Sequence, residues 1–158
     1  MYKRLSGLLL PLLFTPGFVS AGANDNVFTP ADGPVSGGAA SKLHVVVAGA
    51  QNSRGKIVLA LFDNEEDFTK KPYRELVIDA GDAGRGAMFE HLSDGDYAVV
   101  IFHDENANEM LDRNFLGVPE EGVAFSNNLK VKFSLPGFDD AKVAVRGDSA
   151  ISIKLNYL

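Results

Sequence analysis

The sequence predicts an all-β fold, a Greek-key β-sandwich of about seven strands, and three observations lead to this prediction. Short runs rich in β-branched and aromatic residues follow one another from residue 42 onwards, separated by clusters of turn-forming residues. Two of these runs, 56–62 and 96–103, are apolar on both faces, which is typical of central strands. The last run, 151–157, alternates between apolar and polar residues, as a strand with one buried face does. A small closed barrel is the alternative architecture.

Each predicted strand is bounded by residues that favour turns. Gly49 ends the first run and Gly55 opens the second, while the fourth run has the weakest β pattern. In the sixth run Val143 and Val145 share one face, because successive side chains of a strand point to opposite sides. The predicted strands are residues 43–47, 56–62, 74–78, 86–90, 96–103, 141–146 and 151–157.

Three other segments complete the predicted fold. Asn64 is a suitable cap for one short helical turn over residues 64–68. The glycine-rich stretch 81–86 superficially resembles a nucleotide-binding loop, but it joins two predicted strands, and we interpret it as a hairpin turn. Residues 106–136 show little regular pattern and predict one long loop.

The N-terminus predicts export. Residues 1–23 combine a positive start, a short apolar segment and small residues at the cleavage spacing, which are the features of a secretory signal peptide. A membrane anchor is the alternative, but the apolar run is short and prolines interrupt it. Residues 24–41 are rich in turn formers and predict a flexible linker, and residues 42–158 form the predicted domain. We therefore expect a periplasmic or secreted protein without stable membrane insertion after cleavage.

Composition and charge exclude several classes of function. The chain of 158 residues suits one domain, and its net charge of -6 provides no basic surface for nucleic acid. The absence of cysteine excludes disulfides, thiolate metal sites and cysteine catalysis. The sequence also contains neither the G-x-S-x-G motif of serine hydrolases nor a phosphate-binding glycine loop.

The most informative motif follows the fifth predicted strand. Its D-x-N-x-N-x-x-x-D spacing matches positions one, three, five and nine of the calcium loop of EF-hands. Such a loop surrounds the ion with oxygen ligands at about 2.3–2.6 Å, and its seventh position contributes only a backbone carbonyl. A further carboxylate comes from Glu120 or Glu121 if the chain folds back. The predicted ligands of a weakly bound Ca²⁺ are Asp104, Asn106, Asn108, Met110, Asp112 and Glu120.

The loop departs from the EF-hand pattern in three respects. Glu109 stands at the sixth position, where glycine normally allows a sharp turn, and Phe115 replaces the bidentate glutamate at the twelfth. No amphipathic helices flank the loop. Because only Asp104 and Asp112 are certain anions, we predict weak binding, with a dissociation constant of about 10⁻⁴–10⁻³ M. The alternative is an Asx-rich loop whose side chains bind only their own backbone.

The sequence resembles a bacterial family of exported domains of unknown function. The resemblance rests on the segments 55–63, 95–108, 112–122 and 125–128, and it extends over residues 42–158. The family usually carries glycine where Glu109 stands here. The resemblance implies an exported, prealbumin-like β-sandwich similar to transthyretin-like and collagen-binding-B-like modules, and it implies no known activity.

Three roles follow from these patterns. The first is a non-enzymatic structural or binding module with a calcium-type loop at 104–112 and a protein or glycan partner. The second is a metal-assisted hydrolase that uses His103 and the loop carboxylates, although one histidine among hard oxygen ligands does not make a zinc site. The third is a carbohydrate-binding surface on the long loop, where Phe115, Phe125 and Phe133 either line the surface or pack beneath it.

Overall fold

The computed structural model describes residues 40–112, 114–115, 119–130 and 134–157. The predicted signal peptide and nearly all of the predicted linker lie outside these residues. The described part of the chain is a two-sheet β-sandwich, as predicted, and its first strand begins at the last residue of the predicted linker. The strands are β1 Ser41–Ala48, β2 Lys56–Phe62, β3 Arg74–Asp79, β4 Ala87–Leu92, β5 Gly95–Asp104, β6 Gly122–Phe125, β7 Val143–Val145 and β8 Asp148–Lys154.

The strands divide into a sheet of three and a sheet of five. The smaller sheet has the order β4-β1-β8, in which β1 pairs antiparallel with β4 and parallel with β8. The larger sheet has the order β3-β2-β5-β6, and β7 pairs with the first residues of β5. The chain crosses between the sheets after β1, β3, β4 and β7. The prediction that the second and fifth runs are central strands is confirmed, because β2 and β5 each have partners on both sides.

The main core lies between the two sheets. Alternate residues of β1 face alternate residues of β2 and β5 across this space, as the period of two in a strand requires. Ile153 and Leu155 complete the core, which confirms the predicted buried face of the last strand. The largest fully buried apolar side chains of this core include Leu43, Ile57, Leu59, Leu61, Phe89, Leu92 and Ile101.

A second apolar cluster covers the other face of the larger sheet. Phe68 lies at its centre and makes edge contacts with the rings of Phe62, Phe125 and Phe138, with centroids 5.3, 6.4 and 5.8 Å away. Edge-to-face pairs of this kind add about 0.5–1.5 kcal/mol each beyond the burial of their area. Because both faces of the larger sheet are covered, β2 and β5 require the continuous apolar runs seen in the sequence.

The structure corrects four predictions about the connecting segments. The predicted long loop contains strand β6 and a 3₁₀ turn, Ser126–Asn128. The stretch predicted as a hairpin is the 3₁₀ helix Ala80–Arg85, which leads from β3 in one sheet to β4 in the other. Residues 64–68 form hydrogen-bonded turns instead of a helix, although the predicted cap contact exists, since Asp67 N donates to Asn64 Oδ1 at 2.9 Å. The described helix α1, Phe138–Ala141, falls where a strand was predicted to start.

The predicted metal loop begins at the end of the larger sheet where β2 starts. Lys56 pairs with Asp104, so the connection between β1 and β2 lies against the first residues of the loop. Gly55 makes this approach possible. Its φ is +70°, and a Cβ atom there would lie 1.9 Å from the carbonyl oxygen of Asp104.

Candidate metal site

Asp104 anchors the loop from inside the protein. It is the last residue of β5, and only 1% of its surface is exposed. Its carboxylate accepts hydrogen bonds from the backbone N–H groups of Asn108, at 3.1 Å, and Glu109, at 2.8 Å. A carboxylate has about four lone-pair positions, so these two bonds leave part of its acceptor capacity free.

Three of the other predicted ligands, Asn106, Asn108 and Asp112, contact one another. The side-chain amides of Asn106 and Asn108 both donate to the carboxylate of Asp112, the second at 3.1 and 3.2 Å. Their amide oxygens accept from the backbone: Asn106 Oδ1 from Asn108 N at 2.9 Å and Asn108 Oδ1 from Met110 N at 2.8 Å. The side chains therefore converge on one small volume, as the spacing predicts, and also satisfy the loop's own backbone, as the Asx-rich alternative predicts.

The backbone of the loop turns through two left-handed residues. Ala107 has a φ of 56° and Glu109 a φ of 64°. The sixth position of the loop thus adopts the conformation for which glycine is normally required. The Met110 side chain is 57% exposed, which leaves only its backbone for a role in the loop.

Glu121, which follows the predicted ligand Glu120, turns its side chain toward the loop. It is 5% exposed, and its two carboxylate oxygens accept from the backbone N–H groups of Glu105, at 3.0 Å, and Asp112, at 3.1 Å. The Glu120 side chain is exposed, and its backbone N–H donates to the carbonyl of Asp112 at 2.9 Å. The fold-back that the sequence suggested is therefore present, but the buried carboxylate at this place belongs to Glu121.

The site is strongly negative. Burial raises the pKa of the Glu121 carboxyl above its ordinary value; the backbone donors oppose this shift, and the negative charges of Asp104 and Asp112 add to it. Within the described part of the chain, no salt bridge involves any of these three carboxylates. Likewise, among the described residues no three histidine or acidic side chains are placed closely enough to hold a metal ion.

His103 lies beside the loop but is closed off from it. It is fully buried, and both ring nitrogens are engaged: Nδ1 lies 2.7 Å from the Tyr157 hydroxyl and Nε2 lies 2.7 Å from the carbonyl oxygen of Arg54. The Tyr157 hydroxyl also accepts from Gln51 N at 3.1 Å. These contacts favour a structural role for His103, in which it ties β5 to the β1–β2 connection and to the C-terminal residues.

Glu105, which follows β5, is also bound to the β1–β2 connection, here by a hydrogen bond and an ion pair. Its carboxylate accepts from Asn52 Nδ2 at 2.8 Å and from the Arg54 guanidinium at 2.9 Å. The hydrogen bond from Asn52 and the charge of Arg54 hold the pKa of Glu105 below its ordinary value. Sequence reasoning did not identify this contact, because residues 52 and 105 are far apart in the chain and no local pattern connects them.

The phenylalanines of the predicted binding surface have different positions. Phe125 is 1% exposed and belongs to the second apolar cluster, whereas Phe115 is 95% exposed. Phe133 lies outside the described residues. Packing beneath the loop is therefore the role of Phe125, and Phe115 is available to solvent.

Comparison with known proteins assigns the chain to a family. Residues 45–154 match the family described as an uncharacterized protein conserved in bacteria (DUF2141), and the chain belongs to this family. The matched region runs from the middle of β1 to the end of β8 and includes the whole of the loop. The comparisons with curated proteins and with solved structures found no match. None of the helices in the described residues has the length and apolarity needed to cross a membrane.

Proposed function

We propose that this protein is an exported, non-enzymatic β-sandwich module whose loop 104–112, together with Glu121, binds a calcium ion. The observation that supports the proposal is that three carboxylates, those of Asp104, Asp112 and Glu121, accept hydrogen bonds from the same short loop. In the described structure they do not lie closely enough to hold an ion, so binding requires them to move together. Two of them are buried, and the donors described around them are uncharged N–H groups. A buried carboxylate without a cationic partner is costly, and a divalent cation would offset that cost.

The acceptor capacity of the loop supports the proposal. Each backbone hydrogen bond to Asp104, Asn106 or Asn108 uses one lone pair of a side-chain oxygen and leaves another for a cation. Calcium suits such a site better than magnesium, because calcium tolerates irregular geometry whereas magnesium requires a near-octahedral shell. Binding requires the amide groups that now donate to Asp112 to turn away from it.

The buried state of His103 supports a non-enzymatic role, because neither ring nitrogen is available to a substrate. The signal-type sequence of residues 1–23 supports export to the periplasm or the medium. The partner of such a module would be a protein or a glycan. Cell fractionation followed by N-terminal sequencing tests export, and we expect the mature chain to begin at Asn24.

Thermal and chemical unfolding with calcium tests the ion site. With a dissociation constant of about 10⁻³–10⁻⁴ M, 10 mM calcium should add about 1.4–2.7 kcal/mol to the free energy of unfolding relative to chelator. The same concentration of magnesium should add less. Both changes in the free energy of unfolding are to be measured by urea titration of the wild-type protein at constant ionic strength.

Two variants make the test specific. Asp112→Asn removes one carboxylate of the loop and should abolish most of the calcium effect. Asp139→Asn is the matched control, because Asp139 is an exposed residue of α1 that pairs with Lys142 and does not contact the loop. An unfolding free energy that does not change between chelator and 10 mM calcium in the wild-type protein would refute the site.

A further inference from the structure

Among the residues that the structure describes, the edge of β8 away from β1 has no strand beside it over residues 148–154, and β6 reaches the chain only at Asn156, which exchanges two backbone bonds with Val123. Leu155 N donates to the carbonyl of Ala48 on β1, and the main-chain groups of alternate residues point to opposite sides of a strand. Those of Ser152 and Lys154 therefore point away from β1, towards the open edge of the smaller sheet. Such an edge is a template for pairing with another chain.

Asn128 occupies this edge with its side-chain amide. Its Nδ2 donates to the Ser152 carbonyl at 3.1 Å, and its Oδ1 accepts from Lys154 N at 2.8 Å. A residue of a parallel strand opposite Ile153 would make the same pair of bonds with its backbone. The amide thus takes the place of the N–H and C=O of one residue of a neighbouring strand, and the amide of Asn156 donates to the Lys154 carbonyl at 3.2 Å.

The open edge is self-complementary. If two copies of β8 run antiparallel around a twofold axis at Ile151, Asp148 of each copy lies opposite Lys154 of the other. In this register Ala150 lies opposite Ser152, and the paired residues are the ones whose main-chain groups point to the open edge. Ile153 and Ile151 stay on the core side in both copies, so the burial pattern is preserved.

Pairing in this register would use the two main-chain groups that bond to the Asn128 side chain. The Ser152 carbonyl and Lys154 N would each bond to the second copy, and both already have a partner. We infer that the Asn128 side chain prevents the β8 edge from pairing antiparallel with a second copy of this chain. The inference is independent of the calcium proposal, because neither Asn128 nor β8 contributes to the loop.

The test compares two neighbouring asparagines of the same turn. Asn127 and Asn128 both have positive φ, 61° and 53°, so glycine is tolerated at either position without strain. Asn128→Gly removes the side-chain amide from the edge, and we expect this variant to form a dimer. Size-exclusion chromatography with light scattering measures its mass. Asn127→Gly removes bonds to the carbonyls of Asp140 and Lys142, away from the β8 edge, and should keep the mass of the wild-type protein.

Charge variants decide whether the dimer uses the inferred register. In the Asn128→Gly background, Asp148→Lys places like charges opposite each other and should restore the monomer. Adding Lys154→Asp to that variant should bring the dimer back. Circular dichroism verifies folding, and Asn128→Asp, which keeps the acceptor for Lys154 N but loses the donor for Ser152, replaces the glycine variant if the latter is unfolded.

Three results would overturn the inference. The first is an Asn128→Gly protein with the wild-type mass at every concentration. The second is an associated form that does not respond to the charge variants, because it would use another surface. The third is a wild-type protein that already pairs through this edge.

Discussion

Glu109 is the residue at which the loop departs most clearly from the usual calcium-loop pattern. Its backbone is left-handed, with a φ of 64°, and its side chain is exposed. A residue with a Cβ atom pays about 1–2 kcal/mol for this conformation, whereas glycine does not. We therefore expect Glu109→Gly to be more stable than Glu109→Ala by about 1 kcal/mol, measured by urea unfolding in chelator.

The alanine variant is the proper reference for this comparison. Both substitutions remove the same negative charge, which otherwise contributes to raising the pKa of Glu75, so only the backbone effect differs. Equal stability of the two variants would show that the loop does not hold the left-handed conformation in solution.

For single residues, the sequence predicted which side chains of the loop lie near one another, because that depends on local spacing. Asp104, Asn106, Asn108 and Asp112 are linked by hydrogen bonds within one loop, and whether they hold an ion stays a prediction. The identity of the fifth oxygen-bearing side chain was not predictable, since Glu120 and Glu121 are equivalent in the sequence. Only the course of the returning chain decides which of them is buried.

At the scale of elements, the long and strongly patterned strands were predictable and the short ones were not. β2 has the predicted bounds, because Gly55 and the following apolar run define it. β6 has four residues, all buried, and lies between segments without periodicity, so no pattern separated it from a loop. The 3₁₀ helix Ala80–Arg85 was misread because glycines indicate a turn but not whether the next strand joins the same sheet.

The C-terminal segment after β8 holds the two sheets together. Leu155 N bonds to Ala48 in the smaller sheet, while Asn156 exchanges two backbone bonds with Val123 in the larger sheet. Tyr157 then covers Gly122, where a Cβ atom would lie 2.6 Å from the tyrosine ring. The segment is therefore fixed by backbone bonds, by a close approach to glycine and by the Tyr157 hydroxyl.

The Tyr157 hydroxyl provides the prediction for this element. His103 Nε2 faces a carbonyl oxygen and must carry a hydrogen, so in the neutral ring Nδ1 accepts from Tyr157. Tyr157→Phe leaves this buried nitrogen without its partner and should cost about 1–3 kcal/mol in the free energy of unfolding. Urea titration measures the loss.

Tyr73→Phe is the control for the loss of a hydroxyl, because Tyr73 is 47% exposed. Its cost should stay within about 0.5 kcal/mol, the range usual for surface substitutions. If the two variants were equally stable, the hydroxyl of Tyr157 would not hold the C-terminal segment to β5.

For the whole molecule, the buried carboxyl of Glu121 makes global stability depend on pH. Its pKa in the folded protein is raised above the ordinary value of 4.5, chiefly by burial and further by Asp104 and Asp112. The folded state therefore keeps a proton that the unfolded chain releases, and stability falls as pH rises through this window. The contribution is complete below the unfolded pKa and is lost above the folded one.

A comparison with Glu121→Gln isolates this effect from other titrating groups, because glutamine keeps the shape of the side chain but does not ionise. In chelator, the stability of the wild-type protein relative to Glu121→Gln should decline as pH rises from the ordinary pKa of 4.5 through the raised pKa of the folded state. Calcium should reduce the decline, because a bound cation favours the charged carboxylate. The measurement is the urea midpoint of both proteins at each pH, and a constant difference in chelator would show that Glu121 is not buried in this manner. A decline that calcium leaves unchanged would instead retain the buried carboxyl and argue against the ion, so the two claims about this loop are separately testable.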